Sequence, residues 1–112
     1  MRRDLLLIEE MIDAAERVME LIGRATADEV AANRERRDAV LWNFTVLGEA
    51  ATHVTEPTRS LAPHLSWRDP IRLRNRIVHA YWSVDIDVIV SAAQDDLPSL
   101  VAELRAIATL LS

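Results

Sequence analysis

Residues 72 to 81 read Arg-Leu-Arg-Asn-Arg-Ile-Val-His-Ala-Tyr, setting three arginines, an asparagine, a histidine and the chain's one tyrosine around a short apolar pair. Arginine carries a permanent charge on a planar fork of donors that matches the oxygens of phosphate and carboxylate. Histidine is the side chain whose ordinary pKa lets it take and return a proton near neutrality. Gripping an anion and moving protons beside it is the chemistry these types can do together. Projected as a helix at about 100° per residue, the segment collects Arg68, Arg72, Asn75, Arg76 and His79 on one side. Spacings of three and four make Arg72, Asn75, Arg76 and His79 neighbours there. Trp67, Pro70, Ile71, Leu73, Ile77, Val78 and Tyr81 take the other side, and Arg74 falls in the middle of that apolar arc. A partly buried arginine needs a carboxylate. Glu49 is the expected partner, because Trp42, Val46 and His53 line the same side of its own helix.

Charge sharpens the argument. The chain has a formal charge of -5 from 18 acids and 13 basic residues, all of them arginine. The segment from Trp67 to Tyr81 holds four arginines and one aspartate, a local charge of +3. Such a patch repels itself and is expected to meet an anion; the plain alternative is a solvated, arginine-rich helix face. An acidic protein repels nucleic acid on average, so any RNA contact must come from this patch. His79 alone would more often be structural than catalytic, and its case rests on its neighbours. His53 and His64 are weaker candidates. Glu49 and His53 make half a metal site, but no second pair at ligand spacing follows, so neither metal nor other cofactor is expected.

Helices must position these groups. At 112 residues, half of them apolar, with two glycines and four prolines, the chain is expected to form one helical domain spanning residues 1–112. Leu5, Ile8, Ile12, Ala15, Met19 and Ile22 form one apolar stripe, and Leu7, Met11, Ala14, Val18 and Leu21 a second beside it. An arc this wide suits either burial against a partner subunit or a helix central to its own bundle. Thr26 to Glu29 is a capping-box pattern, and the charged run after it, residues 33–38, reads as a solvated face. Val40, Phe44, Leu47, Ala51 and Val54 mark a second long helix, and residues 55–66 a loop. Ser66 can cap the next helix, with Pro70 in its first turn. Residues 83–90 fit both periods; helix is expected because a lone strand would lack a partner. Leu97, Leu100, Leu104, Ile107 and Leu111 complete a last helix, with Pro98 in its first turn or at a kink. The expected architecture is all-α: an up-and-down four-helix bundle with short additional helical turns. With no cysteine, and with Glu9, Glu10 and Asp13 interrupting the N-terminal apolar run, neither an oxidising compartment, a signal peptide nor a membrane span is expected, and the location is read as cytoplasmic.

The R-x-x-x-x-H-x-Y pattern of Arg74, His79 and Tyr81, with Asn75 after the arginine, resembles the HEPN domains, and among them the HepT toxins of the MntA–HepT toxin–antitoxin modules. Residues 48–50, 66–85 and 95–104 extend the likeness over most of the chain. Ala80 departs from it, standing where many relatives have glycine. The resemblance implies a homodimer whose motif helices line a shared cleft, and a metal-independent ribonuclease. Metal-free RNA cleavage needs a base for the 2′-hydroxyl, an acid for the leaving 5′-oxygen and positive charge at the phosphorus. A twofold dimer would bring two copies of the one motif histidine to one cleft. His79 would then do the acid–base work, Arg74 stabilise the phosphate, Asn75 orient groups, and Arg72 and Arg76 hold the RNA backbone. The resemblance further implies an MntA-like nucleotidyltransferase antitoxin that adenylylates Tyr81. The alternative is a non-catalytic module that binds nucleotides or a protein partner.

Overall fold

The computed structural model describes residues 2–112, and every regular element among them is helical. Four short signals punctuate the chain. Helix α1 (Arg2–Ile22) ends at Gly23, whose φ of +52° is the left-handed conformation glycine adopts without strain. The short α2 (Ala27–Ala32) starts at the expected capping box: Thr26 Oγ1 accepts from Glu29 N at 3.2 Å, and Glu29 Oε1 from Thr26 N at 3.0 Å. Asn33 then caps α3 (Arg34–His53), its Oδ1 accepting from Arg36 N at 3.0 Å. The charged run therefore forms the first turn of α3 itself. A single turn, α4 (Glu56–Arg59), folds back so that Arg59 Nη2 donates to the Ala51 carbonyl at 2.8 Å and closes the end of α3.

Helix α5 (Arg68–His79) carries the motif. Ser66 Oγ accepts from Asp69 N at 3.3 Å, so this serine does serve the helix start, with Pro70 in the first turn. A 3-10 turn (Tyr81–Ser83) follows, then α6 (Ile86–Ser91), capped by Asp85. The helix reading of residues 83–90 holds from Ile86 onward. One π turn (Ala92–Asp96) joins α6 to α7 (Leu97–Leu111). Its cause is Pro98, in the first turn of α7: proline offers no N–H, and the Leu97 N–H reaches back five residues to the Ala92 carbonyl.

The long helices alternate in direction. Asp4 meets Thr55 and Thr58, setting the start of α1 against the end of α3. Glu16 pairs with Arg105, and Gln94 Nε2 donates to the Gly23 and Ala25 carbonyls, so α7 runs back along α1. Helix α5 packs chiefly on α3 and runs opposite to it, with Tyr81 meeting Asp38. The core between them includes Ile8, Met11, Leu41, Leu47 and Leu104, each almost fully buried, and truncating any one to alanine should cost about 2–5 kcal/mol. Helix α1 lies between α3 and α7, and both of its stripes are buried or half-buried inside the chain. The central-helix reading of its wide arc is met by this packing, with Leu5, Leu7, Ile12, Met19 and Leu21 left half-buried. The bundle is not closed everywhere: between α5 and α7 remains a cavity of 390 Å³ lined by residues including Phe44, Leu73 and Leu100.

Candidate phosphate-binding and acid–base site

Helices α3 and α5 cross at Gly48. A Cβ there would lie 2.2 Å from Arg74 Cβ and 2.4 Å from the Pro70 carbonyl oxygen, so only glycine permits this approach. Contact at this point lays the stem of Arg74 on α3 and delivers its guanidinium to Glu49, one residue on: Nη2 to Oε2 is 3.1 Å. The other oxygen of Glu49 lies 3.0 Å from His53 Nε2. Arg74 Nη1 also donates to Asn75 Oδ1 at 2.9 Å, while its buried Nε has no protein partner among the described residues. The expected Arg74–Glu49 pair is thus formed, and Asn75 helps to hold the guanidinium. Both arginine and carboxylate line a shallow cavity of 370 Å³ with Trp42, Val46 and Leu7. Trp42 is 66% exposed there.

Arg72, Asn75, Arg76 and His79 are all exposed on the outer side of α5. Among the described residues no carboxylate lies within ion-pairing distance of Arg68, Arg72 or Arg76, although the chain is acidic overall. The row of cations is uncompensated within the chain, which is what an anion site requires. His79 sits in the last turn of α5, its ring open to solvent. Arg74 and His79 lie five residues apart, roughly 140° around the helix, so the chain alone does not bring their tips together; Asn75 stands between them, touching Arg74 and one turn before His79. Ala80 leaves the helix at φ −145°, a negative value, so the left-handed conformation that would favour glycine is not used.

Tyr81 is placed by contacts the sequence does not announce. Its hydroxyl donates to Asp38 at the start of α3, and the Arg37 guanidinium lies over its ring, 5.7 Å from the centroid. The hydrogen bond to the Asp38 carboxylate, with burial second, pushes the phenol above its ordinary pKa, and Arg37 opposes this in part. Asp38 and Arg37 belong to the run read as a solvated face. Their only signal is register, because an antiparallel pair anchored at Gly48 and Arg74 carries the start of α3 toward the end of α5. His64 lies elsewhere, paired with Glu103 of α7 at 3.0 Å. Among the described residues no three histidine, cysteine or acidic side chains are grouped to hold a metal ion, and no helix is long and apolar enough to cross a membrane.

Comparison with known proteins agrees with the resemblance carried by Arg74, His79 and Tyr81. The family model described as "Ribonuclease HepT-like" matches residues 11–107. A Thermococcus cleftensis protein named "Probable ribonuclease HepT" is 27% identical over 93 residues, covering 83% of this chain and 84% of that protein. A Methanocaldococcus jannaschii protein named a "Putative RNase" is 24% identical over 96 residues, covering 86% and 88%. No solved structure matches the chain. The matched region runs from within α1 to within α7, including Gly48, Glu49 and the whole of α5, and on that ground the chain belongs to the HepT-like ribonuclease family.

Proposed function

We propose that this protein is the ribonuclease toxin of a HepT/MntA-type toxin–antitoxin system, cutting RNA without a metal through Arg74 and His79. One observation carries the reading: the uncompensated row Arg68, Arg72 and Arg76 beside the open imidazole of His79, on a chain otherwise acidic. Arg72 and Arg76 hold the RNA backbone. His79 takes the 2′-hydroxyl proton, the 2′-oxygen attacks phosphorus, and the departing 5′-oxygen receives a proton from a second imidazole, leaving a 2′,3′-cyclic phosphate. Arg74, held by Glu49 and Asn75, stabilises the added charge on the phosphate oxygens. Each chain has one motif histidine, so the reaction calls for a twofold dimer. The exposed Trp42, which lines the Arg74 cavity with Leu7 of α1, and the exposed Leu6 beside Leu7 are the apolar surface a second copy would cover.

Adenylylation of Tyr81 by an MntA-like nucleotidyltransferase is the proposed off-switch. The hydroxyl, held by Asp38, belongs to a residue 40% exposed two positions after His79, and an attached phosphate would compete with RNA for the nearby arginines. Co-expression with an MntA-like nucleotidyltransferase should add whole adenylate masses that vanish in Tyr81→Phe; neutralisation without added mass would mean inhibition by binding alone. A second reading has an observation in its favour: Arg74 is already engaged by Glu49 and Asn75, as in a structural arginine of a non-catalytic nucleotide-binding module. Induced expression separates the two. The toxin reading expects growth arrest and new cyclic-phosphate RNA ends from wild type and neither from His79→Ala, with purified cleavage persisting in chelator. Intact RNA despite saturable nucleotide binding would favour the module.

A further inference from the structure

Trp82 is 87% exposed, more than any other large apolar side chain among the described residues. An indole exposed this fully, when the other exposed large apolar side chains among the described residues reach at most 67%, calls for a partner surface. The turn that presents it is fixed. Ser83 N and Ser83 Oγ both reach the Ala80 carbonyl, at 2.9 and 3.0 Å. The preceding Tyr81 is tied to Asp38 and covered by Arg37. Near it in the chain His79 and Ser83 are exposed together with Val78 and Asp85, Arg76 and Arg72 stand one and two turns back from His79 on α5, and Arg34, paired with Asp38 at 4.0 Å, is exposed one turn before that residue on α3. A rigid aromatic plane that follows a helix bearing an exposed histidine and, without an ion pair among the described residues, Arg72 and Arg76 matches an unstacked base with its phosphates.

We propose that Trp82 is a nucleobase platform: it stacks on one base of single-stranded RNA whose phosphates lie along Arg72 and Arg76, holding the strand beside His79. The inference rests on the RNA-cleaving reading of α5 and extends it, since it makes the substrate an unpaired segment rather than a duplex. Every base has a π-face, so the platform selects for strandedness more than for sequence.

Binding tests it without cleavage. The probes are a 2′-O-methyl single-stranded oligonucleotide, which lacks the attacking hydroxyl, and an abasic sugar-phosphate chain of equal length. Trp82→Ala should weaken the intact oligonucleotide about 5- to 150-fold, while Trp82→Phe keeps most of the affinity. The abasic chain should bind wild type and Trp82→Ala alike, and Arg76→Ala should weaken both probes. Equal affinity of wild type and Trp82→Ala for the intact probe overturns the platform, as does equal weakening of both probes or a shift to monomer on gel filtration that accounts for the loss. If wild type binds neither probe, the RNA reading of α5 falls with it; if it binds both probes equally well, only the stacking role falls.

Discussion

Single residues set the chemistry on offer, and two of them are pinned by carboxylates. Arg74 is held by Glu49, a pair readable from sequence because both residues sit in apolar arcs of their own helices. Tyr81 is held by Asp38, 43 residues away, and nothing in local periodicity marks that contact; it follows from how α3 and α5 cross. The Asp38 bond gives a testable titration. Tyr81 is the one tyrosine, so the absorbance change of tyrosinate formation reports it alone. Its folded pKa is raised above the ordinary value near 10. For an acid raised on folding, the stabilisation is present below the unfolded pKa and lost as pH rises through the folded one. Wild type should therefore titrate above the free phenol and lose stability through that interval, and Asp38→Ala should titrate lower. An unchanged midpoint in Asp38→Ala would remove the carboxylate as the cause.

Elements decide whether those residues meet. Glycine inside a helix is ordinarily replaced by alanine with a gain of roughly 0.5–1 kcal/mol. At Gly48 the sign should reverse, because the new Cβ would meet the Pro70 carbonyl oxygen and the Arg74 stem at 2.4 and 2.2 Å, and neither can yield without moving α5. Gly48→Ala should cost about 3 kcal/mol in denaturant unfolding and reduce cleavage through the displaced arginine; a neutral or stabilised variant would contradict the crossing. Asp4 ties α1 to the turn after α3. It is 2% exposed and accepts from Thr55 and Thr58 hydroxyls at 2.5 Å each. Burial pushes its carboxyl up, but these hydroxyl bonds and the Thr55 N–H outweigh it and hold the carboxyl below its ordinary value. Its contribution is present above the unfolded pKa near 4 and lost as pH falls through the folded value. Asp4→Asn should lose about 1–3 kcal/mol at pH 7, and the gap from wild type should narrow below roughly pH 4. The long helices and their caps were legible because apolar spacing and capping chemistry are local. The cavity between α5 and α7 was not, since it arises from how finished helices fit, whereas the π turn has a local cause in Pro98, which the sequence placed in the first turn of α7 or at a kink.

At the scale of the molecule, the sequence foretold an all-α bundle, and every regular element among the described residues is helical. The wide arc of α1 admitted two explanations, and packing between α3 and α7 supplies the internal one; the proposed dimer would use the face near Trp42 and Arg74. The motif face was legible as a row of arginines around His79; that it goes uncompensated by the chain's many acids could be seen only with the fold in hand. The account's central claim is that this face cleaves RNA through His79. Single-turnover cleavage of a single-stranded RNA by purified, folded protein tests it most directly. Wild type should cut in the presence of chelator and leave 2′,3′-cyclic phosphates, and His79→Ala should be slower by about 10²–10⁴-fold while binding a 2′-O-methyl analogue as tightly. Equal cleavage rates for wild type and His79→Ala would contradict the account.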